Sequence, residues 1–241
     1  MLEKIEKFQV LLLAVVLAFG LIVATTIVSN ALPNDGISVT GSASKTVKSD
    51  KGTLYFTLIT RQKNRKIAYE VFKKQIPIVK SYLISKGIKE EDINIKTSNS
   101  YNVYKMLPNG NTSNEIEYYN GQQPIEIKSD NVELIKEIST DINSLMSKGL
   151  ELDVNTPDYY YSKISDLKVE LLNEATKDAK QRASAMLKAT HNRTGKIQSV
   201  KMGVFQITSP NSTDVTDSGI YNTESIEKKV TAVANVVFKI K

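Results

Sequence analysis

The chain has 241 residues, 41% hydrophobic and 24% charged, with a formal net charge of +6 at pH 7. This balance excludes wholesale disorder, because enough apolar surface is present to offset the entropy of ordering a domain. The absence of cysteine excludes disulfides, thiolate metal sites and cysteine nucleophiles, and the single histidine, His191, leaves zinc without a ligand set.

Residues 1–31 read as a signal-anchor or signal peptide. Phe8 to Val28 is apolar except for Gln9, Thr25 and Thr26. As a helix this run spans about 31 Å, close to the hydrocarbon thickness of a bilayer. It is longer than a signal-peptide core of about 7–15 residues, which favours an uncleaved membrane anchor. Ser29-Asn30-Ala31 nonetheless supplies the small residues of a cleavage site, so cleavage after Ala31 stays open. Lys4 and Lys7 precede the run and no Lys or Arg follows until Lys45, which puts the N-terminus inside and the rest outside the cytoplasm. Residues 32–36 (LPNDG) read as a linker, and 37–241 as the extracytoplasmic domain. The lysines of that domain are scattered, with one cluster at Arg61, Lys63, Arg65 and Lys66, so no nucleic-acid partner is expected.

Ile37–Val47 and Thr53–Arg61 are expected to form a hairpin around Ser49-Asp50-Lys51-Gly52, with Leu54, Phe56 and Leu58 alternating inward. Asn64 is expected to cap a helix to about Lys86 that faces Ile67, Val71 and Val79 inward and kinks at Pro77. Ile93–Met106 and Glu115–Lys128 form a second expected hairpin, turned by Pro108-Asn109-Gly110. Asp130 with Glu133 has the spacing of a capping box, opening a helix that carries Val132, Ile135, Ile138, Ile142 and Leu145 on one face. A strand from Leu150 to about Ser162 follows. The next helix, Ser165 to about Asn192, places Leu167, Leu171, Ala175, Ala179, Ala183 and Leu187 on one i+4 ridge. Lys196–Ser209 and Glu227–Ile240 are the last strands, separated by an exposed polar loop over 210–225.

Three helix ends share a pattern: Ser85-Lys86-Gly87-Ile88, Ser147-Lys148-Gly149-Leu150 and Arg193-Thr194-Gly195-Lys196. Each places Gly where the chain needs positive φ after a basic last turn. The order ββ-α-ββ-α-β-α-ββ gives an α+β fold, a mostly antiparallel sheet with helices packed on one side, preceded by the N-terminal helix.

These residues resemble the SIMPL-domain family of exported proteins of unknown function. The resemblance rests on Ser38-Val39-Thr40-Gly41-Ser42-Ala43, on Leu83-x3-Gly87-Ile88 with Asp92-Ile93 and Thr97, and on Glu174-Ala175-x3-Ala179-x2-Arg182-Ala183. Met202 to Ile207, Ser209 to Ser212, Gly219-Ile220-Tyr221 and Ser225 to Lys228 complete it, so it covers roughly 37–241. The resemblance implies a periplasmic or cell-surface α+β protein, with some members linked to envelope or oxidative stress and to ring-like oligomers. It implies no catalytic residues.

No P-loop, dinucleotide fingerprint or His-based triad is legible, so no catalytic, cofactor-binding or metal residue is assigned, and a hydrolase would require clustered carboxylates of raised pKa. The tyrosines carry the remaining signal. Tyr101, Tyr104, Tyr118, Tyr119 and Tyr160 suit an oligomer interface or a shallow ligand surface, since tyrosine is enriched at both. The expectation is a non-enzymatic, self-associating envelope protein in envelope organisation or stress tolerance, bound to the membrane through Phe8–Val28. The alternative is a module that captures a small envelope ligand or anion through the Tyr-rich surface.

Overall fold

The computed structural model describes the backbone of residues 2–31 and 36–241 and, within the first helix, the side chains of 13–27. Helix α1 runs Leu2–Ala31, and its described side chains are all exposed. Among the described residues no helix is long and apolar enough to cross a membrane. The side chains of residues 8–12, of Val28 and of Ser29-Asn30-Ala31 lie outside the described residues. So does the expected linker apart from Gly36, which opens the first strand.

Beyond α1 the fold is α+β, with two mostly antiparallel sheets in place of one. By compactness the chain divides into two units. One comprises Met1–Ala43, Leu172–Gly203 and Val233–Lys241; the other comprises Ser44–Leu171 and Val204–Ala232.

The second unit is built on β2 (Lys51–Gln62), an inner strand of a six-stranded sheet. Strand β3 (Ile93–Ile95), β4 (Asn99–Met106) and β5 (Thr112–Ser129) follow, and β5 pairs with β2 from Gly52↔Ser129 to Gln62↔Tyr119. The other edge of β2 takes β6 (Glu151–Val154) and β7 (Asp158–Tyr160). These last two were expected as one strand. Pro157 between them has no N–H to give the ladder, and Asn155 N–H turns to Tyr55 O at 3.0 Å. Leu54, Phe56 and Leu58 alternate inward as expected and are at most 1% exposed.

Helices α2 (Arg65–Ser85) and α3 (Val132–Asp141) pack on that apolar face, and a 3-10 turn over Ile142–Lys148 extends α3. The ridge Val132, Ile135, Ile138, Ile142 and Leu145 is buried throughout. Each such side chain contributes about 1.5–3 kcal/mol by leaving water. Asn64 caps α2, its Oδ1 accepting from Ile67 N–H at 2.9 Å. The inward phase of α2 differs from expectation. Ala68, Phe72, Val79 and Leu83 are buried, Val71 is half-buried and Ile67 is exposed. Gly121 of β5 sets this phase: a Cβ there would lie 3.1 Å from Phe72 Cε2 and 3.2 Å from Ala68 Cβ, so helix and strand meet at their small residues. The helix continues through Pro77, which lies on the exposed side. At α3 the cap is Asn131, whose Oδ1 accepts from Leu134 N–H at 3.2 Å. Asp130, expected to cap, is instead paired with Lys51 at 2.6 Å.

Strand β1 (Gly36–Lys48) does not form a hairpin with β2. It lies beside β11 (Glu227–Ile240) in a five-stranded sheet that also holds β8 (Thr194–Met202), β9 (Gln206–Thr208) and β10 (Ile220–Tyr221). The turn signal was local, but Ser49 N–H donates to Ile226 O at 2.8 Å and Asp50 N–H to Tyr160 O at 3.0 Å. Remote carbonyls therefore take the donors that a tight hairpin would have used. Lys196–Ser209, expected as one strand, breaks at Gly203 into β8 and β9, and the polar loop 210–225 contains β10, parallel to β9.

The remaining helix, α4 (Ile164–Lys188), has the expected ridge buried from Leu167 to Leu187. In the first unit its alanines lie against β1 at unusually short range. A Cβ on Gly41 would sit 2.1 Å from Ala175 O and 2.3 Å from Ala179 N. Only glycine permits that approach, and only alanine keeps the helix surface low enough to exploit it.

The helix ends share one construction, which at Gly87 and Gly149 is the expected one. Ile88 N–H bonds Leu83 O after Gly87 (φ 101°), and Leu150 N–H bonds Leu145 O after Gly149 (φ 80°). Asn192 N–H bonds Leu187 O in the same way, with His191 (φ 59°) as the left-handed residue in place of glycine. Gly195 is required for a different reason: a Cβ there would stand 2.6 Å from Lys239 O.

Candidate functional site

The tyrosines expected to form one surface are distributed by strand register. In the β4–β5 hairpin Tyr101 opposes Asn120 and Val103 opposes Tyr118, so Tyr101 and Tyr118 share one face. Asn102 opposes Tyr119, and Asn102 Nδ2 donates to Tyr104 OH at 3.3 Å, which puts Tyr104 and Tyr119 on the other. On that second face the Arg65 guanidinium lies over the Tyr119 ring at 5.4 Å and donates to Asn102 Oδ1 at 3.1 Å. Tyr160 is not with them. It pairs with Lys51, whereas Tyr119 pairs with Gln62, so the two stand at opposite ends of β2, about 35 Å apart along the strand.

The same register makes the hairpin an arm. Strand β2 stops at Gln62, opposite Tyr119, while β4 and β5 stay paired to Met106↔Thr112. The first seven residues of β5, 112–118, therefore extend about 23 Å with β4 as a two-stranded ribbon. Tyr104, Met106, Leu107 and Ile116 on this ribbon are 39–75% exposed. Lys105 and Glu115 bridge its strands at 2.7 Å.

Three polar features appear that the sequence did not single out. Glu126, on the face of β5 opposite the core, is 3% exposed. Its carboxylate accepts from Lys96 at 2.5 Å, Tyr55 OH at 2.8 Å, Lys128 at 3.1 Å and Asn94 Nδ2 at 3.2 Å. The Lys96 ammonium first, then the Tyr55 and Lys128 donors, hold its pKa down to about 2 against the opposing effect of burial. Its lone pairs are occupied, so this is a structural anion that pins three strands. Among the described residues, every other carboxylate with a displaced pKa, Asp50, Glu115, Asp141 and Asp178, is also displaced downward.

Lys228 is the second. It is 2% exposed, and its Nζ donates to the carbonyls of Asn222 and Ser225, each at 2.7 Å, with no carboxylate in ion-pair range among the described residues. Burial pushes its ammonium down to about 8. It ties the end of the 210–225 loop to β11. A signal existed, because Lys228 is in phase with Val230, Ala232, Ala234, Val236 and Phe238, all buried. The third is a cavity of about 520 Å³ beside the N-terminus of α3, lined by Lys51, Lys89 and Lys128. Each lysine already has a carboxylate partner: Asp130, Glu91 and Glu126.

His191 is exposed at the end of α4, where its backbone conformation, not its ring, is what the fold uses. Among the described residues no group of three His, Asp or Glu side chains is placed to hold a metal ion.

The two most recognisable sequence motifs do meet, within the first unit. Gly41 receives Ala175 and Ala179, and the next residue, Ser42, donates its N–H to Asp178 Oδ2 at 2.8 Å. Arg182 Nε donates to the same oxygen at 2.8 Å. The Ser42 N–H, then Arg182, draw the Asp178 pKa down. Gly41-Ser42 and Ala175-x3-Ala179-x2-Arg182 are thus one strand-to-helix seam, a packing device written twice in the chain. No curated protein matches the chain. A family model for SIMPL, described as a protein of unknown function (DUF541), matches residues 37–238. With that match spanning both motifs and nearly all of the α+β fold, the chain belongs to the SIMPL family.

Proposed function

We propose that the protein is a non-enzymatic component of the cell envelope, held at the membrane by Phe8–Val28 with its N-terminus inside, and that it self-associates to support envelope organisation or stress tolerance. The observation that carries the self-association is the β4–β5 arm. A two-stranded ribbon is marginal in water by itself, and this one presents Tyr104, Met106, Leu107 and Ile116 beyond the sheet that supports its base. Over residues 112–118 the edge of β5 is no longer covered by β2, which supports strand addition by a second copy. The arm favours this reading over capture of a small ligand by a tyrosine groove, because a groove needs its tyrosines on one face.

Light scattering on the full chain, extracted in detergent and resolved by size exclusion, tests the assembly. The wild type is expected as an oligomer. Tyr104→Asp and Met106→Asp, both on exposed positions, are expected to shift it to monomer without lowering Tm. A strict monomer at high concentration overturns self-association. Retention in the membrane pellet after an alkaline wash is expected for the anchor, and release into the supernatant overturns it.

A further inference from the structure

Resting on the self-association proposed above, we infer that the contact joins two different strand edges: β5 over residues 112–118 in one copy adds to the edge of β8 in the next. Among the described residues β8 pairs with β11 and with no other strand, so its second edge meets none. Residues 196–202 are all exposed. Ile197, Val200 and Met202 oppose Phe238, Val236 and Ala234, which puts them on the face that β11 buries. They nonetheless stay 49–54% exposed, so the packing that covers β11 stops short of β8. Lys201 opposes Asn235 on the other face. A long uncovered edge with one apolar face is a site for strand addition.

The outer part of β5 has a similar design with the opposite charge. Residues 112–118 match 196–202 in length, about 23 Å each as extended chain. Tyr104 opposes Ile116, and Met106, two residues along, shares their face, so the ribbon also has an apolar side. This part of β5 carries Glu115 and Glu117 and no basic residue, whereas β8 carries Lys196 and Lys201 and no acidic one.

The charges select the partner. Two β8 strands paired antiparallel with Ile197 against Val200 would also set Lys196 against Lys201. Two β5 edges paired about Ile116 would set Glu115 against Glu117. Like charges directly opposite destabilise a strand pair, and opposite charges stabilise it. The lysines of β8 therefore repel a second β8 and admit the acidic edge, so repulsion supplies part of the specificity. Because the two edges differ and every copy has one of each, the contact is heterologous.

Charge reversal on the full chain in detergent tests this, with association read by size exclusion and light scattering over a dilution series. Lys196→Glu with Lys201→Glu in one variant, and Glu115→Lys with Glu117→Lys in another, are each expected to weaken association by about tenfold with Tm unchanged. Mixed in equal amounts, the two are expected to recover wild-type association, because each edge then finds one of opposite sign. Hydrogen–deuterium exchange on the wild type needs no substitution: amides of both 112–118 and 194–202 should gain protection as concentration rises. Protection gained in one segment alone or in neither overturns the inference. So does either reversed variant associating as the wild type does, or a mixture that fails to recover. A wild type that stays monomeric removes self-association itself, whereas an oligomeric wild type with equally oligomeric variants removes only this pairing.

Discussion

The protein packs helices onto strands in two ways. On the six-stranded sheet, Leu54, Phe56, Phe72, Ile135 and Ile138 interdigitate as large aliphatic and aromatic side chains, and the core is filled by bulk. At the seam of β1 and α4 the reverse holds: Gly41 meets Ala175 and Ala179, and backbone nearly touches backbone. The first arrangement fails by losing volume and the second by gaining it. Close approach at the second specifies residue identity at each position, whereas a bulky core accepts several hydrophobic residues of similar volume.

Substitutions that test this contrast should move in opposite directions of size. Ile138→Ala, which empties a fully buried site, is expected to cost about 4 kcal/mol in urea unfolding. Gly41→Ala adds a single methyl and is expected to cost about 3 kcal/mol, because the atoms it meets are helix backbone and cannot rotate away. An equal loss from Ala179→Gly, which removes volume, would break the distinction. Glu126→Gln probes a third kind of contact on the bulky sheet's other face, and is expected to cost about 2 kcal/mol at pH 7. Here pH supplies a sharper test. The unfolded chain takes up a proton at Glu126 near 4.5 and the folded chain near 2, so its stabilisation is present above about 4.5 and lost as pH falls toward about 2. That slope should flatten in Glu126→Gln. The smallest effect is a gain: His191→Gly removes a side chain from a left-handed position and is expected to raise stability by about 0.7 kcal/mol in the same assay.

Periodicity made the helices and most strands legible. The ridges of α3 and α4 and the alternation in β2 and β11 were readable because each is a local repeat against one buried face. The β4–β5 hairpin was readable from Pro108-Asn109-Gly110, with Gly110 at φ 83°. What escaped depends on remote partners. The Ser49-to-Gly52 turn looked like a hairpin until Ile226 and Tyr160 took its donors, and the phase of α2 was set by Gly121, far along the chain. Tyrosine count along the strands suggested one surface, but the two-residue alternation of β4 and β5 and the long reach of β2 divided it. Glu126 had no local signal, because it acquires Lys96, Tyr55 and Asn94 from other parts of the sheet. Lys228 had one, as a charged residue in phase with an apolar strand.

The tip of the arm gives the protein a place to be observed. Gly110 has open space where a side chain would project, and Asn109 and Gly110 lie at the turn of the ribbon. The chain contains no cysteine, so one placed at Asn109 would be unique. A spin label or fluorophore there would report the distance between neighbouring arms, and turn the geometry of the assembly into a spectroscopic ruler.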